Sequence, residues 1–457
     1  MNLKLKFIPP LDPGFQPAAL WNRRYADAVK TSDVGVPLVL GLEREHGLLS
    51  RFATVVRPGA DADTLHYVER IVKFLLWSRG GWKLHFGGPP AIGEAIRKTY
   101  SARGARKFDC EMMALAYGKK FQVVLTPPGK VPAHREMQVA SGGHLQGCRI
   151  GFDLGASDYK VSAVINGEAV FTEETPWQPA AAANPEYHYH HISAALHRAA
   201  AHLPRVDAIG GSSAGILVDN EIRVASLLRS IPKKLYPSAA KVFKRIQQEW
   251  NVPMVVMNDG DVTALAGALS LRQKGVLGIA MGSSEAAGFM DRQGRILGWL
   301  NELAFAPVDY NPAAPADEWS GDRGVGALYF SQQAVNKLLP AAKIKLPEKM
   351  GLPERLKEVQ ALMEKGDLRA AKIYETIGVH LGYAVAHYAD FYDFRHALIL
   401  GRVTTGQGGD IVIATAREVL NREFPELAAK IQLHVPDERG KRVGQAVAAA
   451  SLPATRK

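Results

Sequence analysis

"CRIGFDLGASDYKVSAVINGEAVFTEET" (148–175) reads as strand, turn, strand, turn, strand. The second turn, Asn166-Gly167-Glu168, is a hairpin signal, because Asn and Gly tolerate the positive φ that a tight hairpin demands. The same device returns at "GVLGIAMGSSEAAGFMDRQGRI" (275–296): strand, small-residue turn, strand, hairpin. Helical patterns follow each unit. This predicts an α/β protein with two structurally related halves and a cleft between them. No short-period repeat of the solenoid kind is present.

Between the two units lies "VVMNDGDVTALAG" (255–267), a short apolar strand that ends in Asn258 and Asp259 before an alanine-rich helix. A buried strand that finishes on an amide and two nearby carboxylates suits binding or proton abstraction at its end. In that reading Asp261 caps the helix and Asp259 is the base. The stretch equally permits Asp259 itself as a cap. Three further strand ends carry small residues: "DLGAS" (153–157), "MGSSEAAG" (281–288) and "LGRVTTGQGG" (400–409). Small residues let backbone N–H groups approach an anion closely. Ser157, Ser283 and Ser284 add hydroxyl donors. Asp153 suits a hydrated Mg²⁺ that bridges to phosphate, since Mg²⁺ keeps most of its waters. Lys160, on the next strand, can neutralise phosphate charge.

The first 145 or so residues read as a separate α+β unit, with strands near 51–56, 82–88 and 120–126 and helices over 62–79, 90–100 and 108–118. A Pro- and Gly-rich linker spans 126–147. The chain of 457 residues is too long for one core. Its composition, 47% apolar and 22% charged, excludes wholesale disorder. The net charge of +11 is scattered rather than gathered into a tract, so a solvated basic surface is expected and DNA binding is not. The N-terminal unit shows no compact helical triplet with a recognition helix. Two cysteines, Cys110 and Cys148, fit a reducing cytoplasm. No apolar stretch is long enough for a membrane span.

The order "IGFDLGASDYKVSAV", "AIGGSSAGILV", "MVVMNDGDVTALAG", "IAMGSSEAAGFMDRQGRILGWLNELAF", "ALILGRVTTGQGG" resembles the ROK family (repressors, open reading frames, kinases) of the actin-like ATPase superfamily. The resemblance covers roughly residues 148–455. It implies two ribonuclease H-like domains with an interdomain cleft, here with an extra N-terminal α+β domain. The expected division is 1–146, then 147–258 completed by a C-terminal helix over 438–455, then 259–437. It further implies ATP and Mg²⁺ as cofactors, transfer of the γ-phosphate to a sugar hydroxyl, and a homodimer. Carried over by motif, Asp259 is the general base. Asn258, Glu302, Asn301, Ser212 and Gly215 face the sugar. Asp153, Gly155, Ser157, Lys160, Gly282, Ser283, Ser284, Gly401 and Gly408 face nucleotide and phosphate, with Asp153 holding Mg²⁺ through water.

The sequence departs from the family pattern in places. Glu285 follows two serines in the second loop, where it would set a negative charge near triphosphate. Arg402 follows Gly401 where paired glycines are usual. Phe305 replaces the histidine that contacts sugar and zinc, and the cysteine-rich zinc stretch is absent, so no structural zinc is expected. A second reading therefore stands beside the kinase: a non-catalytic relative that keeps the sugar cleft as a sensor. The cluster His188, His190 and His191 reads as a metal site or, equally well, as a polar surface turn.

Overall fold

The computed structural model describes residues 3–137, 142–155, 157–435 and 444–455. The chain opens with α1 (Ala18–Thr31), β1 (Val36–Glu43), β2 (Leu49–Val56), α2 (Ala62–Arg79), β3 (Lys83–Gly87), α3 (Pro90–Thr99), α4 (Lys107–Tyr117) and β4 (Gln122–Thr126). These strands form a four-stranded sheet in the order β2-β1-β3-β4, antiparallel except for the β3–β4 pair. The sequence pattern anticipates all of these elements but α1 and the central strand β1. The interior of β1 is buried on both faces, so "VPLVLGLE" carries no alternation to read. Asp61 caps α2 by accepting from the Thr64 amide at 3.1 Å. The helix stops at Gly80, whose φ of +75° and contact with the Tyr117 hydroxyl exclude a side chain.

The first lobe follows: β5 (Cys148–Leu154), β6 (Asp158–Ile165), β7 (Glu168–Pro176), α5 (Pro185–Ala200), β8 (Ala208–Ser213), β9 (Ile216–Val218), β10 (Glu221–Val224), α6 (Tyr236–Ala240), α7 (Val242–Trp250) and β11 (Met254–Asn258). Its five-stranded sheet has the order β11-β8-β5-β6-β7. The meander β5-β6-β7 is antiparallel, and β5, β8 and β11 run parallel. The quoted stretch thus folds as its pattern demands.

The second lobe comprises α8 (Asp259–Leu271), β12 (Val276–Met281), β13 (Glu285–Met290), α9 (Gln332–Leu338), α10 (Leu352–Glu364), α11 (Leu368–Ala389), β14 (His396–Leu400), α12 (Gly406–Glu423), α13 (Pro425–Ala428) and β15 (Gln432–His434). Its sheet runs β13-β12-β14-β15. The expected hairpin after β13 shrinks to a single bridge between Met290 and Ile296. Asp291 holds the turn by accepting from the backbone of Gln293 and Arg295, and Gly298, at φ +64°, then turns the chain away. The final helix, α14 (Gln445–Ala450), lies on the first lobe. Gly151 and Gly210 permit this, since a Cβ on either would fall 1.7 Å from a carbonyl of α14. Residues 438–443 of the expected C-terminal helix lie outside the described residues.

The N-terminal elements have their own sheet but share one core with the second lobe. That cluster joins Tyr25, Phe74 and Phe86 to Leu277, Tyr388 and Val419. A buried ion network crosses the same seam: Asp322 meets Arg70 at 3.0 Å, Lys73 at 3.2 Å and Arg106 at 2.7 Å. No described helix is long and apolar enough to cross a membrane.

Candidate active site

Register places the site. Parallel pairing sets Asp153 beside Ser212, and Ser213 beside Asn258, at the carboxyl ends of β5, β8 and β11. In parallel sheets ligands gather where strands end and helices begin. Helix α8 starts immediately at Asp259, so three parallel strands deliver Asp153, Asn258 and Asp259 to one rim.

Burial sets the proton affinities there. Asp153 is pushed up to about 6, mainly by loss of water, against the pull of the Ser212 hydroxyl and with the neighbouring Asp259 charge adding to the rise. Asp259 is likewise raised by burial, partly offset by the Gly260 amide, which donates to its Oδ1 at 3.1 Å. Glu302 is pushed up to about 8 by burial and by the charges of Asp259 and Asp261. Acids with raised pKa values that face one another across a seam are suited to hold or take a proton near neutrality.

The cap differs from expectation. Strand β11 ends on Asn258, so that residue is the N-cap: its Oδ1 accepts from the Gly260 amide at 2.7 Å, and its Nδ2 donates to the Gly215 carbonyl at 2.8 Å. Asp261 therefore lies three residues beyond the cap, inside the first turn of the helix. It is buried, accepts from Asn301 Nδ2 at 2.8 Å, and is pushed up to about 7 by burial. Asn301 also accepts from the Tyr392 hydroxyl at 3.1 Å and is 3% exposed. Its amide is thus engaged inside the protein, which removes it from direct substrate contact.

The phosphate-loop candidates fall into two groups. Gly155 donates its amide to the Asp158 carbonyl at 2.9 Å, and Ser157 donates to the Asp158 carboxylate at 2.8 Å, closing the first turn; Ala156 lies outside the described residues. Lys160 faces Asp153 across the β5–β6 pair and reaches Glu174 at 3.6 Å. In the second turn Gly282 donates to the Ser284 carbonyl at 3.0 Å, leaving Ser283 and Ser284 exposed. Gly401, at φ +105°, packs against Met281 so closely that a Cβ would lie 2.5 Å from its carbonyl oxygen, which joins the second and third loops. Gly408 instead faces the Tyr374 ring, where a Cβ would sit 2.5 Å away, so its bare backbone serves the packing of α12 on α11.

Glu285 does not project toward phosphate. It is buried, accepts from the Tyr388 hydroxyl at 3.3 Å, has an unpartnered Oε2 among the described residues, and is pushed up to about 8 by burial. Because its folded pKa exceeds the ordinary 4.5, it favours the fold at low pH, and that contribution fades as pH rises from about 4.5 to about 8. Glu285→Gln keeps the Tyr388 contact and removes the titration. The variant is expected to flatten the fall in thermal midpoint between roughly pH 5 and 8, checked by melting the two proteins across that range.

The N-terminal unit contributes what the sequence did not announce. The last turn of α2 offers its orphan carbonyls to the Glu302 segment: Glu302 donates its amide to Trp77 O at 2.9 Å, Asn301 to Ser78 O at 3.0 Å and Leu300 to Arg79 O at 3.3 Å. Phe305 packs on Trp77 with ring centroids 4.4 Å apart and on Phe108 at 5.7 Å. A cleft of about 620 Å³ lies alongside, walled by Arg44, His46 and Tyr117 of this unit, by Gly215 and Asn258 of the first lobe, and by Trp299 of the second. These contacts join segments far apart in sequence, so no local motif signals them. His188 is buried with Nε2 against the Leu227 carbonyl at 3.0 Å. Among the described residues no group of three or more His, Cys, Asp or Glu is arranged to hold a metal ion.

No protein-family model matches the chain. No curated protein matches it by sequence. Solved structures do. A ROK hexokinase from Thermus thermophilus is 18% identical, covering 67% of this chain and 97% of its own, with a TM-score of 0.53. A ROK family glucokinase from Streptomyces griseus, solved with glucose and AMPPNP, is 21% identical over 67% of this chain and 99% of its own, with a TM-score of 0.51. A ROK family transcriptional regulator, a homologue of the E. coli MLC protein, is 17% identical over 80% of this chain and 89% of its own, with a TM-score of 0.52. Kinases and a regulator thus share this architecture, and at such identities the likeness speaks to fold. The chain has the fold seen in these ROK proteins.

Proposed function

We propose that the chain is a ROK-family phosphotransferase that moves the γ-phosphate of ATP to a hydroxyl of a sugar or sugar-like polyol. The observation that carries this reading is the pairing of Asp153 and Asp259 at the ends of parallel strands, each with its pKa raised by burial. Two neighbouring carboxylates that repel one another are relieved by a cation, so Asp153 fits a water-bridged Mg²⁺. ATP with Mg²⁺ would supply the transferable phosphoryl group and neutralise its charge. Asp259 accepts the proton of the attacking hydroxyl, and Glu302, held by the α2 carbonyls, binds a sugar hydroxyl. Ser283 and Ser284 offer exposed donors to phosphate. In this reading the protein works as a homodimer.

A second reading, a sugar-binding sensor without catalysis, draws on the packing of Phe305 against Trp77 and on Gly408 closed by Tyr374. Calorimetric titration with AMPPNP and Mg²⁺ separates the two. Binding with a micromolar to low-millimolar constant is the expected result. No heat at millimolar analogue, together with a sugar-dependent rise in thermal midpoint, would discard the kinase in favour of the sensor.

A further inference from the structure

A second cavity, of about 410 Å³, lies at the seam between the N-terminal sheet and the second lobe. Its lining includes Arg79, Arg51 and Arg135 together with Phe52, Phe391 and Trp299. Arg79 is 8% exposed. A guanidinium carries five N–H donors in its plane. Here one terminal nitrogen donates to the Phe391 carbonyl, and the other, Nη1, is buried with no partner among the described residues. Among the described residues no carboxylate pairs with Arg79. The Arg79 carbon Cζ lies 3.2 Å from the Trp299 ring centroid, a cation–π contact that supports the charge from above. That contact leaves Nη1 unmet, and an unmet buried donor is costly.

The carboxylates nearby are already engaged. Glu136 is held by Arg44 and by Ser50, whose hydroxyl donates at 2.6 Å. Asp291 meets Arg295 at 2.7 Å, and Asp393 meets Arg292 at 3.2 Å. Arg51 and Arg135 have no ion-pair partner among the described residues and stand at the cavity with Arg79. The cavity lining therefore carries surplus positive charge together with aromatic surface, in a volume suited to a small molecule. Burial lowers the Arg79 pKa to about 10, which still leaves it cationic at neutral pH.

We infer that this cavity binds a small organic anion, a phosphomonoester or carboxylate on an apolar body, with its head on Arg79 and its body against Phe52 and Phe391. The cavity shares Trp299 with the cleft beside the rim, but neither Asp153 nor Asp259 lines it, and the inference does not depend on the kinase reading. Phenyl phosphate is the probe, with inorganic phosphate and phenol as head-only and body-only controls. Calorimetry on the full chain should show phenyl phosphate binding more tightly than either control. Arg79→Met should weaken it on the order of 10- to 100-fold, the worth of charge-assisted hydrogen bonds. Arg135→Ala, at a less buried position, should weaken it several-fold, and it decides the matter should Arg79→Met fail to fold. Absence of phenyl phosphate binding at millimolar concentration would overturn the inference. Equal affinity in wild type and the Arg135→Ala variant would do the same, by assigning the anion to another site.

Discussion

Asp259→Asn is expected to lower turnover by about 10²–10⁴, the contribution of a positioned general base, while sugar affinity stays within a few-fold of wild type. Asn is nearly isosteric and can still accept from the Gly260 amide, so the start of α8 should survive the change. The pH profile supplies a further check. A base works in its deprotonated form, and burial raises the Asp259 pKa above its ordinary 3.8. Hence kcat/KM should rise with pH through a limb above the usual carboxylate range, and the variant should lose that limb. Removing the Asp259 charge also removes one of the causes that hold Asp153 up near 6, so Asp153 should titrate lower in the variant. Wild-type turnover by Asp259→Asn in a coupled phosphotransfer assay would refute the assignment.

Asp322→Ala should produce the largest loss of stability, about 3–5 kcal/mol, because it strips a shared counterion from buried cations. Lys73 is 0% exposed and Arg70 is 5% exposed, and both meet Asp322. Glu69 still engages Arg70, and Asp109 still engages Lys73 at 2.7 Å, so the network is damaged rather than abolished. Burial raises the Asp322 pKa, but Arg70 and Lys73 outweigh that and hold it below the ordinary 3.8. Its stabilisation is thus present above that ordinary value and fades as pH falls through the lowered one. A urea titration followed by tryptophan emission measures the loss. Glu94→Ala, which breaks the exposed Arg97–Glu94 pair, is the control and should change stability by no more than about 1 kcal/mol. Because the N-terminal sheet and second lobe share a core, they should unfold together in wild type.

Strand ends were the most legible part of this chain. "CRIGFDL" and "MVVMN" are short apolar runs stopped by polar or small residues, and both fold as strands that deliver Asp153 and Asn258 to the rim. What local pattern could not express was contact across the chain. Asp261 looks like a cap until the helix is seen to start at Asp259, with Asn258 as its cap. Glu285 looks exposed in a serine turn until Tyr388, more than a hundred residues later, covers it. Phe305 looks like a lost ligand, yet it is one half of an aromatic contact whose other half, Trp77, belongs to the N-terminal helix. The third meander strand of the second lobe fails for a related reason. Its residues turn at Gly298 and give their amides to the carbonyls of α2 instead of to β13.

That exchange of amides has a mechanical consequence. The α2 helix end is bolted to one jaw of the molecule through backbone bonds at Leu300, Asn301 and Glu302. On the other jaw the same unit rests on β9 and β10 through α4, with Ile216 in the shared apolar core, and adds an exposed pair, His46 Nε2 to Asp219 at 2.9 Å. One side is joined backbone to backbone, and the other is joined by side-chain packing and an exposed pair. The acid-bearing loop is therefore tied to the N-terminal sheet more directly than the first lobe is, and strain on that sheet reaches Glu302 through main-chain bonds.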